Sequence, residues 1–310
     1  MSAESQPMSQ SGARLRVLAA ALIFSIGGAG IKACHLTSWQ VASFRSGIAA
    51  ITLLLLLPEA RRGWNGRSAL VGIGVGVTML LFVLANKLTT SANTIFLQST
   101  APLYIMLLSP WLLREPIRAR DLGIMVIVGS GMALLFVGTE RHYATAPDPP
   151  LGNILATLCA ISWAFTLMGL RWMGRTQTPI PAVDEAVIPV PAAGSPAAAV
   201  VIGNVLAFLL ALPFALPVHA ARPLDWGIVT GLGVIQIGVA YVFLTGGMRH
   251  VRAFEASMLL LLEPVLNPVW SWLIHGERPR TWSLVGGAII LTGTLLKTWL
   301  DSRGNSVERS

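Results

Sequence analysis

The stretch "LLLLEPVLNPVWSW" (residues 259–272) places a carboxylate and a proline inside an otherwise apolar run. Glu263 follows four leucines, and Pro264, directly after it, has no backbone N–H to donate within a helix. In a membrane such a carboxylate costs about 2.5–3.5 kcal/mol on insertion scales, so it should face water or the interior of a helix bundle. The meaning of the stretch therefore depends on the solvent around it.

Composition indicates that this solvent is a bilayer. The chain has 310 residues, of which 54% are hydrophobic and 12% charged, whereas soluble domains carry about 25% charged residues. Ten apolar segments reach roughly the 18–20 residues that cross about 30 Å of hydrocarbon. They are residues 15–32, 39–57, 69–88, 92–113, 120–138, 151–172, 199–217, 225–246, 252–275 and 281–300. The sequence predicts an all-α polytopic membrane protein with ten transmembrane helices.

Basic residues near the ends of these segments predict the orientation. With the N-terminus inside, fifteen of them lie in cytoplasmic segments and five in outer loops, which places both termini in the cytoplasm. The net charge of +8 then reflects topology and attraction to lipid headgroups rather than nucleic-acid binding. The arginine-rich cation set and compact loops favour a multi-pass protein of a bacterial inner (plasma) membrane. The outer loop after the ninth helix is the weak point, since it contains Arg278 and Arg280.

An internal repeat is the most informative pattern in the chain. Pro102 and Glu115 correspond to Pro264 and Glu277 at an offset of 162, and Lys32 corresponds to Arg171 at 139. The offset rises to 159 for Pro58 and Pro217, and a Pro/Ala-rich insert at residues 174–198 accounts for this jump of twenty from 139. Predicted domains are a cytoplasmic tail (1–14), a first repeat (15–138), an outer linker (139–150), a second repeat (151–300) with a cytoplasmic insert (174–198), and a second tail (301–310).

Five helices per repeat is an odd number, so the second repeat must be inverted relative to the first. Two inverted repeats that rock about a central site are typical of secondary transporters that work by alternating access. A non-transporting scaffold or receptor, and an intramembrane lipid-handling enzyme, are the alternatives. The sequence contains no HExxH, GxSxG or Gly-rich phosphate loop, so we do not expect an enzyme, a cofactor or a metal.

Two quoted segments carry a family resemblance. These are "LTTSANTIFLQSTAPLYIMLLSPWLLREP" (88–116) and "VRAFEASMLLLLEPVLNPVWSWLIHGERP" (251–279), each with a proline midway and a glutamate near its end. With "SFRSGIAA" (43–50) and "ISWAFTLMGLR" (161–171), the chain resembles the EamA-domain transporters of the drug/metabolite transporter superfamily. The resemblance implies a ten-helix bundle that moves small organic solutes, often outward, through a central cavity lined by both repeats. It does not specify the solute.

Helix breaks are expected at both prolines of the repeat. Glu263 lies about 16 Å from the cytoplasmic end of the ninth helix at about 1.5 Å per residue, close to the middle of the bilayer. Pro264 frees backbone carbonyls beside it, and Pro102 does the same in the fourth helix, where Ala101 replaces the acid. The break therefore looks architectural, and the carboxylate looks specialised.

Polar and aromatic residues on these helices are the candidate cavity lining. Glu255, Glu263, Leu266, Asn267 and Trp270 share one helical face in the ninth helix. The corresponding residues of the fourth helix are Asn93, Thr100, Tyr104 and Trp111, and Trp163, Tyr241 and Gln236 are further candidates. The alternative is that these side chains only bond or pack helices together. The GxxxG pairs Gly72/Gly76 and Gly227/Gly231 are expected to allow close helix packing.

Arg45, six residues into the second helix, is the candidate counter-charge of Glu263. In one hypothesis Arg45 binds a substrate carboxylate and Glu263 its ammonium group; in a second, Glu263 carries the proton that couples transport to the gradient. Otherwise Arg45 and Glu263 neutralise each other, or Arg45 and Lys32 extend outward to water. We predict an exporter of a small polar or amphipathic metabolite, amino-acid-like or drug-like. Its partners are the solute, the bilayer and, as candidate coupling ion, the proton; the oligomeric state stays open.

Overall fold

The computed structural model describes residues 10–112, 119–137, 143–175, 194–219, 221–248 and 259–307. Its helices are α1 Gln10–Ser25, α2 Gly27–Ala33, α3 Ser38–Leu56, α4 Gly66–Leu88, α5 Ser91–Gln98, α6 Ala101–Leu112, α7 Ala119–Leu134, α8 Pro149–Arg175, α9 Pro196–Ala215, α10 Pro223–Gly231, α11 Ala240–Met248, α12 Leu262–His275 and α13 Thr281–Val307. A 3₁₀ turn spans Pro58–Arg61, and a π-helix, Leu232–Val239, joins α10 to α11. No strand occurs within these ranges.

Within the described ranges, six helical segments are long and apolar enough to cross a membrane. They are Gln10–Ala33, Ser38–Leu56, Gly66–Leu88, Pro149–Leu170, Pro196–Ala215 and Pro223–Gly247. On α4, Leu70, Ile73 and Val77 are 63%, 54% and 37% exposed and recur at helical spacing, which gives that helix an apolar face directed outward. The chain is therefore a multi-pass helical membrane protein. Asp121–Leu134 and Thr281–Lys297 are shorter apolar helices, so the count of ten spans stays a prediction.

Three of the predicted spans are interrupted. In the fourth span, α5 ends at Gln98 and α6 begins at Ala101, so Pro102 is the second residue of its helix. In the ninth, residue 261 is a turn and α12 begins at Leu262, so Pro264 is the third. Prolines suit these positions because the first N–H groups of a helix have no acceptor within it. In the structure each of these helices therefore begins one or two residues before its proline.

The first span contains a break that the sequence analysis missed. It was predicted as one helix over 15–32, but α1 ends at Ser25 and α2 begins at Gly27. Three glycines at the start of α2, in "GGAG" (27–30), lower the helix propensity here and bring neighbouring side chains close to the backbone.

Several predicted boundaries need correction. Helix α1 begins at Gln10, inside the predicted tail 1–14, and α13 continues to Val307, inside the tail 301–310. Helices α8 and α9 take residues at both ends of the predicted insert, whose residues 176–193 lie outside the described ranges. The outer ends of α1 ("QSGAR", 10–14) and α13 ("DSRGNSV", 301–307) are polar, so a criterion based on the length of an apolar run does not include them.

Helices of the first half pack mainly on helices of the second. The principal pairs are α3 and α4 with α9, α4 with α8, α7 with α13, α1 with α11 and α2 with α12. Glycines allow the closest approach, since a Cβ at Gly203 would lie 2.4 Å from the Cβ of Val75, and one at Gly76 would lie 2.9 Å from the carbonyl oxygen of Gly203. The expectation for Gly72/Gly76 is confirmed. That for Gly227/Gly231 is wrong, because no atom of the described chain lies within 4 Å of either added Cβ.

We predict that Gly203→Ala lowers the unfolding temperature in detergent, whereas Gly231→Ala does not. An added methyl at Gly203 would meet Val75 and backbone atoms in the α4–α9 contact, and overpacking of this kind costs about 1–3 kcal/mol. At Gly231 the methyl has free space and a better helix former replaces glycine. Equal unfolding temperatures for the two variants would contradict the close α4–α9 approach.

Candidate functional site

Arg45 is a cation buried in the middle of the bundle. It lies on α3, which is fixed at its start by a capping box between Thr37 and Gln40, and it is 1% exposed. One terminal nitrogen of the guanidinium donates to the carbonyl of Met79 on α4 at 3.4 Å and lies 3.7 Å from that residue's sulfur, while Nε has no partner. No described carboxylate lies within salt-bridge distance of it. Arg45 is therefore a buried charge without a counter-ion in the described chain.

Tyr241 on α11 lies near both charges predicted for the site. Its hydroxyl interacts electrostatically with both Glu263 and Arg45, and its ring stacks edge-on against Phe24 with centroids 5.5 Å apart. Glu263 is half-buried in the first turn of α12 and forms no ion pair or hydrogen bond with the residues that the structure describes. Arg45 and Glu263 therefore do not form the ion pair in which they would neutralise each other.

The break between α1 and α2 collects further polar groups. Gln236 donates through Nε2 to the carbonyl of Phe24 at 3.5 Å, and its Oε1 has no partner. Trp270 donates through its indole N–H to Ser25 Oγ at 2.9 Å. Gln236 lies in the π-helix, a distortion that often occurs at functional sites. Gln236 and Trp270 thus meet the first span where its helix is interrupted.

Asn267 is buried and its amide is unused. It is 1% exposed, yet neither its nitrogen nor its oxygen has a hydrogen-bond partner, and the same is true of Ser271 Oγ one turn later and of Ser91 Oγ on α5. A Cβ built on Gly28 would lie 2.6 Å from Asn267 Oδ1 and 2.9 Å from Ser91 Oγ, so α2, α5 and α12 meet here. Buried polar groups are nearly always satisfied, which makes this junction a candidate for binding polar atoms of a solute.

Two of the four residues predicted on the fourth span bond to other helices. Asn93 donates to Asn153 Oδ1 on α8 at 3.2 Å, and Tyr104 donates to the sulfur of Met132 on α7 at 3.4 Å, whereas Thr100 donates to the carbonyl of Leu97 within its own span at 2.6 Å. The predicted single face assumed a continuous helix, whereas a turn separates α5 from α6 and Trp111 is 80% exposed. The interhelical alternative therefore describes the contacts of Asn93 and Tyr104.

The structure shows little of the surroundings of two further residues that were predicted to line the cavity. Trp163 is half-buried on α8, and no hydrogen bond of its side chain is present among the described residues. Glu255 lies outside the described ranges. The structure therefore brings Arg45, Tyr241 and Glu263 together, places Gln236 beside the first-span break and Asn267 at a neighbouring junction, and leaves the fourth-span group apart.

A buried ion pair lies at one end of the bundle, where α2 and α12 end. Lys32 Nζ lies 2.8 Å from Glu277 Oε1, with the two side chains 0% and 3% exposed. Lys32 also donates to the carbonyls of Thr89 at 2.7 Å and Thr145 at 2.5 Å. Glu277 accepts from the Ser91 N–H at 3.1 Å and from Thr145 Oγ1 at 2.5 Å. We call these five residues the Lys32 cluster, and the end where they lie the Lys32 end.

The Lys32 cluster was not predicted. Sequence analysis paired Lys32 with Arg171, and Glu277 with Glu115, as repeat counterparts, and offered outward extension to water for Lys32. That alternative is wrong, because the ammonium group is buried and bonded to three oxygens. The signal was present, since Lys32 and Glu277 are opposite charges predicted at the same membrane surface.

Comparison with known proteins identifies the family. The EamA-like transporter family matches residues 13–137 and 190–299, one stretch in each half of the chain. The chain belongs to this family. The first matched stretch covers nearly all of the predicted first repeat (15–138), and the second covers residues 190–299 of the predicted second repeat (151–300). Membership supports a transporter, with a small-molecule solute and a lipid bilayer as its partners, rather than an enzyme.

Individual EamA relatives are distant. An aromatic amino acid exporter of Ancylobacter novellus is 25% identical over 95% of this chain and 92% of its own length, and a biotin transporter of Escherichia coli K12 is 23% identical over 87% of each. An uncharacterized transporter of Archaeoglobus fulgidus is 35% identical, but the match spans only 23% of this chain and 27% of that protein. A solved crystal structure has the same fold, with a TM-score of 0.58 at 19% identity, over 95% of this chain and 99% of that one.

We predict that Glu277→Gln is strongly destabilising, whereas the double variant Lys32→Met with Glu277→Gln recovers much of the loss. Removing one partner leaves the buried ammonium uncompensated, which costs about 3–5 kcal/mol, and removing both charges relieves that penalty. Thermal unfolding in detergent measures the effect. Lys297→Met is the control, because its bond to Asp121 at 3.0 Å is less deeply buried. Additive effects of the two substitutions would contradict the pairing.

Proposed function

We propose that this EamA-family protein is a secondary transporter that exports a small polar or amphipathic metabolite with a carboxylate group. The observation that carries the proposal is the Arg45 guanidinium, buried at 1% exposure with no described carboxylate in reach. An uncompensated buried charge is expensive, and an anionic group of the substrate would remove that penalty on binding. Arginine is suited to binding a carboxylate because its planar guanidinium can donate two parallel hydrogen bonds to the two carboxylate oxygens.

The arrangement of charges favours an amino-acid-like substrate. Arg45 would hold the carboxylate and Glu263 the ammonium group, with the Tyr241 hydroxyl near both as a donor to either part. Phe24 and Trp270, which border the same region, offer apolar surface to a side chain. The names of the two well-covered relatives agree with this chemistry, since aromatic amino acids and biotin all carry a carboxylate.

The transport cycle follows from the same contacts. We take the chain to form ten helices in two inverted halves, with both termini cytoplasmic and the Lys32 end outside, as the basic residues predict. The Lys32 cluster joins both halves at that end and shuts the site off from the outer surface. Export then requires the Lys32–Glu277 pair to open while the cytoplasmic side closes. A rocking motion of two bundles about a fixed site provides this exchange.

Arg45→Gln should reduce transport of carboxylate substrates by at least about thirtyfold, because truncating a desolvated charge partner costs about 2–5 kcal/mol. The assay is exchange of labelled phenylalanine or biotin across liposomes that contain the purified protein. Arg62→Gln, at an exposed position, is the control for loss of a basic residue. Wild-type exchange by Arg45→Gln for every carboxylate that the wild type moves would overturn the assignment.

Glu263→Gln separates the two hypotheses for the acid. If Glu263 carries the coupling proton, the amide mimics the protonated form, so exchange without a gradient persists while accumulation driven by a pH gradient is lost. If Glu263 holds the substrate ammonium, both activities fall together. Glu59→Gln in the exposed 3₁₀ turn is the matched control. Undiminished gradient-driven accumulation by Glu263→Gln would exclude the proton role.

A further inference from the structure

A groove of about 620 Å³ runs along the outside of the bundle between α12 and α13, with Phe96 of α5 as part of its lining. It shares no lining residue with the candidate site around Arg45. This volume falls within the roughly 300–1,000 Å³ of ligand-binding pockets. Apolar side chains form its length and a single cation lies at one end; those that matter here are Val265, Val269, Trp272, Leu284, Leu291 and Arg278. The groove is therefore apolar along its length and positively charged at one end, which matches a molecule with an apolar part and an anionic end.

Its apolar walls face outward. Val265, Trp272 and Leu284 are 52%, 48% and 51% exposed. Residues 265, 269 and 272 follow one another at helical spacing, so they form a stripe of about 10 Å along α12 at about 1.5 Å per residue. In a membrane protein such a stripe contacts hydrocarbon chains rather than water. An aqueous solute would find no polar partner along it.

The cation at the end of the groove is held in place by the backbone. Helix α12 stops at Gly276, whose φ of 68° turns the chain. Glu277 then points inward to the Lys32 cluster, while Arg278 is exposed. The Tyr143 hydroxyl donates to the carbonyl of Arg278 at 3.2 Å, which fixes the loop from the other side. No carboxylate of the described chain forms an ion pair with the Arg278 guanidinium.

We propose that this groove binds an anionic phospholipid, with an acyl chain along the α12–α13 stripe and the phosphate on Arg278. Charge complementarity selects the occupant: an apolar channel that ends in one unpaired cation at the helix end matches a chain that ends in a phosphate. Arg280, two residues further on, adds a second positive charge at the same level. Arg278 and Arg280 are the two basic residues of this outer loop that do not fit the orientation predicted from charge. Binding of an anionic lipid would give them a function.

The position of the site predicts a consequence for the closed state. Arg278 is covalently next to Glu277, so a lipid that holds Arg278 also restrains the residue that locks the Lys32 end. The bound lipid should therefore favour the state in which the Lys32–Glu277 pair is intact. This inference needs only a membrane protein with this groove and stands whether or not Arg45 binds a carboxylate.

The test is a titration of purified protein in a neutral detergent. Phosphatidylglycerol, phosphatidylcholine with the same acyl chains, and inorganic phosphate are added separately, and the unfolding temperature and bound lipids per protein (by native mass spectrometry) are measured. Phosphatidylglycerol should bind and raise the unfolding temperature more than phosphatidylcholine, and phosphate alone should do neither. Arg278→Gln should weaken phosphatidylglycerol binding roughly fivefold, since one basic residue near a lipid surface contributes about 1 kcal/mol.

Two variants and the opposite results complete the design. Ala288→Trp fills the exposed wall of the groove and should weaken both lipids, whereas Arg222→Gln, an exposed arginine outside the groove, should change neither. Equal binding of the two lipids, or no effect of Arg278→Gln, overturns the anionic site. Stabilisation by phosphate alone, or a change of oligomeric state in Ala288→Trp without loss of lipid, would show that the groove serves another occupant and overturn the proposal.

Discussion

In hydrocarbon every backbone N–H and C=O must find a partner within the protein, and this constraint decides where a membrane helix can stop. The chain interrupts helices at Ile26, at Ser99–Thr100 and at Leu261. The first of these breaks is covered by Gln236 and Trp270 from two other spans. Because interruptions are tolerated only inside protein, the breaks and the polar groups around them come to lie in the interior. The candidate site is a consequence of that placement.

The buried charges of the bundle are of two kinds, which differ in the partners that surround them. In the Lys32 cluster, each charged group has several partners, and the ion pair ties α2 to the end of α12. Among the described residues, Arg45 contacts the Met79 carbonyl and sulfur, and Glu263 lies in the electrostatic neighbourhood of Tyr241. The described chain thus compensates the charges of Lys32 and Glu277 and provides no ion pair for Arg45 or Glu263. This difference in partners separates the two pairs of charges more sharply than burial does.

Sequence patterns predicted the features that depend on local chemistry. The breaks near Pro102 and Pro264 could be expected because a missing N–H has the same effect in any context, whereas the sequence left open whether Arg45 is buried or extends outward to water. Features set by packing between distant segments were missed or wrong. Ile26 carries no breaker of its own, the fourth-span face failed once α5 and α6 separated, and Gly227 has no neighbour to approach. The Lys32–Glu277 contact joins residues that no spacing rule connects.

The packing of α2 has a consequence for mutational tolerance. Added methyl groups at Gly27, Gly28 and Gly30 would approach within 2.8 Å of Gln236, 2.6 Å of Asn267 and 2.8 Å of Leu232, respectively. The obstructing atoms are side-chain ends in every case, so alanine at these sites would displace neighbours rather than backbone. Side chains larger than that of alanine could not be accommodated by a shift of these side-chain ends alone. This short helix should accordingly admit fewer viable alleles than the lipid-facing surface, and a saturation library of the gene would be depleted there first.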